Sequence, residues 1–202
     1  MNKHKLIINP KSKIMKPTKE QIAEYIKEYL AYKGNDVMNR NWNMMLIHRL
    51  QFDRIDESGV PCSKRWIALV EQNIDELKQL NDFDKLHTKV AKLAEKIVGI
   101  GPLTVYDTAT CIGFERGVFP KQVYLNQGAA AGAKALGIKG RKQPQEVFNI
   151  ICGEFEQMNP AQIEDFLCIY KSCLQGDEIK CKKVRHGLKN NNVCGSSRGC
   201  CC

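Results

Sequence analysis

The sequence predicts an all-α fold of roughly eight helices. Apolar residues recur at spacings of three and four along most of the chain, and no alternating run extends beyond a few residues. Capping residues and Gly or Pro breaks separate these amphipathic stretches. With 202 residues, the chain is long enough for one main core and short for two independent domains. We therefore expect one helical domain at 17–176, between a basic arm at 1–16 and a basic, Cys-rich, disordered tail at 177–202.

The helix boundaries follow from local signals. The first helix begins at Thr18, which forms a capping box with Gln21, and it ends at Gly34. Ser63 is expected to cap the third helix and Asn159 the last. Each later segment carries an apolar stripe between breaks, and the predicted helices are 42–50, 63–77, 82–97, 102–114, 123–136, 144–158 and 161–174.

Basic residues are concentrated at the two ends of the chain. Residues 1–19 contain six lysines and no acid, and residues 179–202 contain six lysines or arginines and no acid. The stretch between them holds 19 basic and 22 acidic residues, so the net charge of +9 belongs to the ends. Such ends attract nucleic acid, ribosomes and acidic membranes alike, and the total charge therefore does not identify a partner.

Membrane and secretory classes are not indicated. No apolar run approaches the roughly 20 residues of a spanning helix, and the apolar stretch 6–8 is too short for a signal-peptide core. We expect an intracellular protein, cytoplasmic or located in the nucleoid or nucleus. In that setting five widely spaced cysteines are expected to be reduced and mostly buried. They are Cys62, Cys111, Cys152, Cys168 and Cys173.

Residues 86–114 are predicted to form a helix-hairpin-helix. The first helix stops at the V-G-I-G-P sequence of residues 98–102, and the second begins at Pro102, whose missing N–H is not needed in a first turn. Gly99 and Gly101 permit a tight turn and a close approach to a ligand, and Ile100 is expected to point inward. The amides that open the second helix, with the positive end of its dipole, suit a phosphate oxygen.

A basic stretch follows the hairpin in sequence, since residues 116–142 contain no acid within a middle region that is acidic overall. We interpret hairpin and stretch as a surface that grips a nucleic-acid backbone. The alternative is a plain helix corner, in which Gly marks a stop and Pro a start. The expected DNA-contacting residues are Gly99, Ile100, Gly101, Pro102, Leu103, Thr104, Arg116, Lys121, Lys134, Lys139, Arg141 and Lys142.

Three elements occur in order within residues 98–137: a G-I-G-P-x-T turn at 99–104, a Phe-Pro pair at 119–120 and an Ala-Leu-Gly end at 135–137. In this order and spacing they resemble the helix-hairpin-helix superfamily of DNA glycosylases, the endonuclease III type. The resemblance implies an all-helical fold that docks on the DNA minor groove and bends the duplex to expose a base.

The catalytic residues of that family are not matched. The resemblance places its essential aspartate at Val123, and a valine cannot act as a general base. Its lyase lysine falls on Leu103. From Cys173 onward the chain reads C-x7-C-x12-C-x5-C, whereas the family's iron–sulfur ligands read C-x6-C-x2-C-x5-C. We therefore expect no catalytic residue, no cofactor and no metal site.

The alternative is an active enzyme whose catalytic acid lies at another position in the chain. Asp107 is interpreted as an acid that complements the dipole of the second hairpin helix. Tyr124 and Asn126 lie near the pocket that the resemblance implies, although a tyrosine at helical spacing is more often part of a core. His87 is interpreted as a surface or core histidine.

The C-terminal tail ends in three adjacent cysteines, 200–202. His186 with Cys181 and Cys194 is a weakly supported metal-ligand set, because the chain contains no CxxC pair. A terminal Cys cluster behind basic residues also resembles lipid-anchored tails. A disordered tail with reactive thiols is the simplest interpretation.

Three functions remain open on the sequence. The first is a sequence-nonspecific or structure-specific DNA-binding protein, related to DNA repair, that grips the phosphate backbone without catalysis. The second is a divergent base-excision DNA glycosylase with a relocated catalytic acid. The third is a helical scaffold whose hairpin contacts another protein.

Overall fold

The computed structural model describes residues 16–34 and 59–190. These residues form ten α-helices, one 3-10 helix and one two-stranded antiparallel ladder, so the all-α prediction is confirmed. The elements are α1 (Lys19–Tyr32), α2 (Cys62–Gln72), α3 (Ile74–Lys78), α4 (Phe83–Ala94), α5 (Pro102–Phe114), β1 (Val123–Tyr124), α6 (Gln127–Ala135), β2 (Lys142–Gln143), α7 (Glu146–Ile151), the 3-10 helix Gly153–Gln157, α8 (Pro160–Ile169), α9 (Lys171–Leu174) and α10 (Glu178–Lys189).

Local capping signals placed several helix starts correctly. The capping box of Thr18 and Gln21 is present in α1. Asn159 caps α8, with Pro160 at its first position, and α5 begins at Pro102 as predicted. These starts depend on hydrogen bonds between residues three apart, which a sequence shows directly.

Four other helix predictions need correction. Ser63 does not cap α2, because the cap position is Pro61 and Ser63 already lies inside the helix. The predicted 63–77 helix is interrupted at Asn73, and the 144–158 helix at Cys152, whose backbone is extended with φ −150° and ψ 119°. The 161–174 helix is broken at Tyr170. The helix predicted at 42–50 lies outside the described residues.

The first residues of the predicted 123–136 helix form a strand instead. Val123 pairs with Gln143 and Tyr124 with Lys142, so helix α6 begins only at Gln127. Successive side chains of a strand point to opposite faces. Val123 accordingly packs into one hydrophobic cluster and Tyr124 into the other.

The two clusters divide the described chain. The hairpin core is built mainly by α2 to α5, around the fully buried Trp66, Leu86 and Ile112. The large core is built mainly by α1 and α6 to α10, around Tyr29 and Phe166. The turn between α4 and α5 therefore belongs to the smaller of two packed units.

The tail prediction is wrong for residues 178–189, which form α10. Asp177 caps this helix, and Cys181 and Leu188 are buried beneath it. Cys181 forms a disulfide with Cys173, so the expectation of a reduced thiol is wrong for Cys173. The turn at Gly176, with φ +78°, brings the two cysteines together. The other four cysteines expected to be reduced are buried thiols.

None of the described helices combines the length and the hydropathy that crossing a membrane requires.

Candidate nucleic-acid interface

Helices α4 and α5 pack against each other and are joined by a tight turn at residues 95–101. The turn prolongs α4 with the bond from the Ile97 amide to the Ala94 carbonyl, 3.0 Å long. Gly99 then reverses the chain at φ +100°, a conformation that L side chains rarely adopt. Ile97 is buried and Ile100 packs partly buried against the hairpin core, as expected for Ile100. Val98, at the tip between them, is 93% exposed.

Position 101, unlike position 99, does not require a glycine for the fold. Its φ of −96° and ψ of 173° are open to any residue, and a Cβ built there meets no atom within 4 Å. Gly101 is the N-cap of α5 and has no side chain with which to cap it, and no acid lies in the first turn of the helix. The space that a Cβ of Gly101 would occupy, at the positive end of a 13-residue helix, is therefore open.

The other predicted turn residues differ in accessibility. Pro102 is exposed, Leu103 is half-buried and Thr104 is buried. Thr104 also accepts, through its backbone carbonyl, a hydrogen bond of 2.7 Å from the Thr108 hydroxyl. An external ligand thus has access to the backbone at 101–103 rather than to the Thr104 side chain.

Three of the predicted basic residues do not lie beside this turn. Arg116 donates to the Leu80 carbonyl, Lys121 pairs with Asp82 at 3.1 Å, and Lys142 pairs with Asp84 at 2.8 Å. These partners precede or open α4, whereas the turn follows its C-terminal end. A helix of 12 residues is about 18 Å long, so the two ends are well separated. These three basic residues follow the hairpin in sequence, but in the fold they lie away from its turn.

The remaining three predicted cations are exposed. Lys134 lies in the last turn of α6, and Lys139 and Arg141 lie in the loop that leads to β2. Their side chains make no ion pair with any residue in the described ranges. The backbone of this loop is fixed, since the Arg141 carbonyl accepts a 2.8 Å bond from the Leu125 amide.

A lysine row on α4 was missed by the sequence analysis. Lys85, Lys89 and Lys92 are spaced by four and three residues, so they share one face, and Lys96 follows four residues later in the turn. The row covers about 16 Å along the helix axis and ends beside the turn. Lys89 pairs with Glu76, while Lys85, Lys92 and Lys96 are exposed. The spacing of these lysines by three and four residues, on the polar face of an amphipathic helix, could have indicated the row from the sequence.

The row borders a shallow groove of about 400 Å³ between α3 and α4. Lysines alternate there with acids, because Glu76 and Asp84 also line it, and Glu95 is exposed on the turn. Toward the hairpin end, Lys92 and Lys96 form no ion pair with either acid of the groove, since Glu76 pairs with Lys89 and Asp84 with Lys142. The residues lining the groove are Glu76, Leu80, Asp84, Lys85, Thr88, Lys89 and Lys92.

A carboxylate does lie beside Tyr124, but it is Asp84 rather than Asp107. The Tyr124 hydroxyl donates to Asp84 at 2.6 Å, and the Lys142 ammonium, 2.8 Å from the same oxygen, stands 4.2 Å from the centre of the Tyr124 ring. Hydrogen bonds from Lys142 and then Tyr124 hold the pKa of Asp84 below its usual value. Burial lowers the pKa of His87, whose ring lies 4.9 Å from that of Tyr124.

This Asp84 cluster ties the β-ladder to α4. An ionised carboxylate that already accepts from a phenol and an ammonium is a poor general base, and burial raises the pKa of Tyr124. Asp107 is half-buried within α5 and engaged with other residues. Asn126 is the N-cap of α6 but makes no capping hydrogen bond through its side chain.

Val123 has a structural reason to be apolar. It is fully buried in the large core, so a carboxylate at this position would be desolvated inside a hydrophobic cluster. The metal-ligand set proposed for the tail also fails at Cys181, because its sulfur is in a disulfide. Within residues 16–34 and 59–190 no group of three His, Cys, Asp or Glu side chains is placed to hold a metal ion.

Comparison of this chain with protein-family models, with curated proteins and with solved structures finds no match.

Proposed function

We propose that this chain binds duplex DNA without sequence preference, by holding phosphates at the turn 98–103 and along the lysine row of α4. The observation that carries the proposal is Gly101. A glycine that neither backbone conformation nor packing requires, at the start of a helix with no acid in its first turn, leaves room for an anion at the positive end of the helix dipole.

The lysine row extends this anion site in one direction. Each of Lys85, Lys92 and Lys96 places an ammonium on the exposed side of α4 or its turn, at intervals of about one or two helical turns. Lysine acts on phosphate as a point charge and carries no base preference. Together with the α5 amides, the row would contact three to four phosphates, which predicts backbone binding of moderate strength with a steep dependence on salt.

One observation favours the scaffold alternative instead. Val98 is an apolar side chain, 93% exposed, at the tip of the turn. An exposed apolar tip suits a contact with another protein, although a single exposed valine is common on protein surfaces. The glycosylase alternative gains no such support, because Val123 is core and Asp84 is engaged by Lys142 and Tyr124.

The test uses two variants of the full chain, Gly101→Asp and Gly101→Asn. Both side chains are good N-caps of similar shape, so both variants should fold at least as stably as the parent. Only Asp places a negative charge where the phosphate is proposed. We expect Gly101→Asp to weaken the binding of a fluorescent 20-base-pair duplex at least tenfold relative to Gly101→Asn, measured by anisotropy at low salt.

Because the two variants share the same tails, any binding by the basic ends cancels in the comparison. Circular dichroism and thermal midpoints control for folding. Equal affinity of both variants and the parent would remove the turn from the interface. In that case a Val98→Ser variant that loses a protein contact in a pull-down, with DNA affinity unchanged, would favour the scaffold.

A further inference from the structure

Helix α10 carries a dense set of cations on the large core, far along the chain from the hairpin. Its 12 residues include Lys180, Lys182, Lys183, Arg185 and Lys189 against a single acid, Glu178. The apolar side chains Cys181 and Leu188 are buried and Arg185 is half-buried, whereas the four lysines of α10 are exposed. Lys180 pairs with Asp177, and Arg185 and Lys189 pair with Glu28, so Lys182 and Lys183 are the cations of this amphipathic helix that make no ion pair with a described residue.

The helix is held rigidly in place. The disulfide from Cys181 to Cys173 fixes its first turns to α9. Arg185 donates through Nε and Nη2 to the Glu28 carboxylate, at 2.8 Å in both cases, and through Nη2 also to Glu24. The Arg185 guanidinium also lies 5.4 Å from the centre of the Tyr25 ring. The surface of α10 is therefore preorganised, which reduces the entropy cost of binding.

Four side chains at positions i, i+3, i+4 and i+7 of this helix line one shallow depression of about 260 Å³, and all are basic: Lys182, Arg185, His186 and Lys189. Two donors there are available to a ligand. No residue of the described ranges contacts the Nη1 group of Arg185 or pairs with Lys182. The side-chain nitrogen of Asn190 lies 3.0 Å from His186 Nε2.

We propose that this α10 face is a second polyanion-binding surface, which takes the phosphate backbone of a nucleic acid. The carboxylates of Glu24 and Glu28 lie beneath Arg185 and would repel a small anion drawn deep into the depression. An extended backbone avoids them, since it can contact the exposed ammonium groups of Lys182 and Lys183, while Lys189 lies 3.8 Å from Glu28.

A membrane surface fits the helix less well. Binding in a bilayer interface requires an apolar face directed outward, whereas Cys181 and Leu188 are buried against the large core. Ile179, which is 71% exposed, is the single large apolar side chain that α10 presents within the described part of the chain. Electrostatic contact with phosphates, without insertion, is the chemistry that this face offers.

The α10 surface shares its ligand class with the proposed function but rests on different residues. The test variant is the full chain with Lys182→Glu and Lys183→Glu. Its matched control carries Lys19→Glu and Lys27→Glu, two exposed lysines of α1, and therefore has the same net charge. We expect the α10 variant to bind a fluorescent 20-base-pair duplex about tenfold more weakly than the control, with unchanged circular dichroism.

Further outcomes separate this proposal from the function of the hairpin. If the α10 variant binds the duplex as tightly as the α1 control, the proposal is overturned, whatever Gly101→Asp does. If the α10 effect persists in a Gly101→Asp background, the two surfaces act independently. Binding of phosphatidylserine vesicles that is lost with the α10 charges, with duplex affinity unchanged, would also overturn it in favour of a membrane surface.

Discussion

The two cores use glycine in opposite ways. In the large core, a Cβ on Gly132 of α6 would lie 2.3 Å from the Leu167 carbonyl oxygen, so the close packing of α6 on α8 requires a glycine. At the start of α5, on the hairpin core, a Cβ on Gly101 would meet no atom within 4 Å. The first glycine serves packing inside the protein. The second leaves space outside it, and this difference separates residues that stabilise the fold from residues available to a ligand.

The cations of the two units differ less than their glycines. Lys92 and Lys96 of the hairpin unit and Lys182 and Lys183 of α10 are all exposed. Lys92, Lys182 and Lys183 stand on helices whose opposite faces are buried in their own cores, and Lys96 lies in the turn after α4. The comparison therefore predicts that core variants change stability and leave DNA affinity intact, and that surface variants do the reverse.

The largest expected effect on stability is that of Gly132→Ala. Because the added methyl group would collide with the backbone of α8, we expect a loss of about 3 kcal/mol in the free energy of unfolding, despite the better helix propensity of alanine. Urea denaturation measures the change. Gly153→Ala is the control, since its Cβ meets no atom within 4 Å. Equal stability of both variants would show that α6 and α8 do not pack so closely.

The disulfide is expected to contribute a comparable amount. The two cysteines are separated by 8 positions. Closing a loop of this size is expected to stabilise the fold by about 2.5 kcal/mol, because it reduces the conformational entropy of the unfolded chain. Cys173→Ser should therefore lower the urea midpoint, and addition of a reductant should lower that of the parent but not of the variant. An unchanged midpoint in the parent after reduction would contradict the bond.

The smallest stability effect is expected at Asp84. Its pKa is lowered in the folded state, so its contribution to stability is present above its unfolded value near 3.8 and is lost as the pH falls through the lower folded value. The side chain is about half exposed, which limits the effect to less than about 1 kcal/mol. Asp84→Asn should flatten the decline in thermal midpoint below pH 4. A parallel decline in parent and variant would show that Lys142 does not stabilise the carboxylate.

Local order was predictable, and pairing between distant segments was not. Thr18, Asn159 and Pro102 mark helix starts through contacts within one turn. The strand at Val123 exists because Gln143, twenty residues later, pairs with it, and neither segment shows this alone. The residues that bind Arg116 lie 35 and 36 positions away.

The candidate interface was predicted in part. The turn and its glycines were located from their sequence order. The supporting cations were sought after the hairpin, whereas helical spacing places Lys85, Lys92 and Lys96 on α4 before it. Lys121 and Lys142 looked available because their acidic partners, Asp82 and Asp84, lie some forty to sixty residues earlier. Charge counted along a sequence does not show which charges are paired in the fold.

The salt dependence of DNA affinity tests the central claim most directly. Each lost lysine–phosphate contact should reduce the slope of log K against log salt by about 0.9. The variant Lys85→Gln, Lys92→Gln, Lys96→Gln should therefore show a slope smaller by about two to three than that of the parent. A control with Lys19→Gln, Lys27→Gln and Lys64→Gln should lose at most one. Parallel plots for the α4 variant and the parent would contradict the account, because they would show that no phosphate is held along α4.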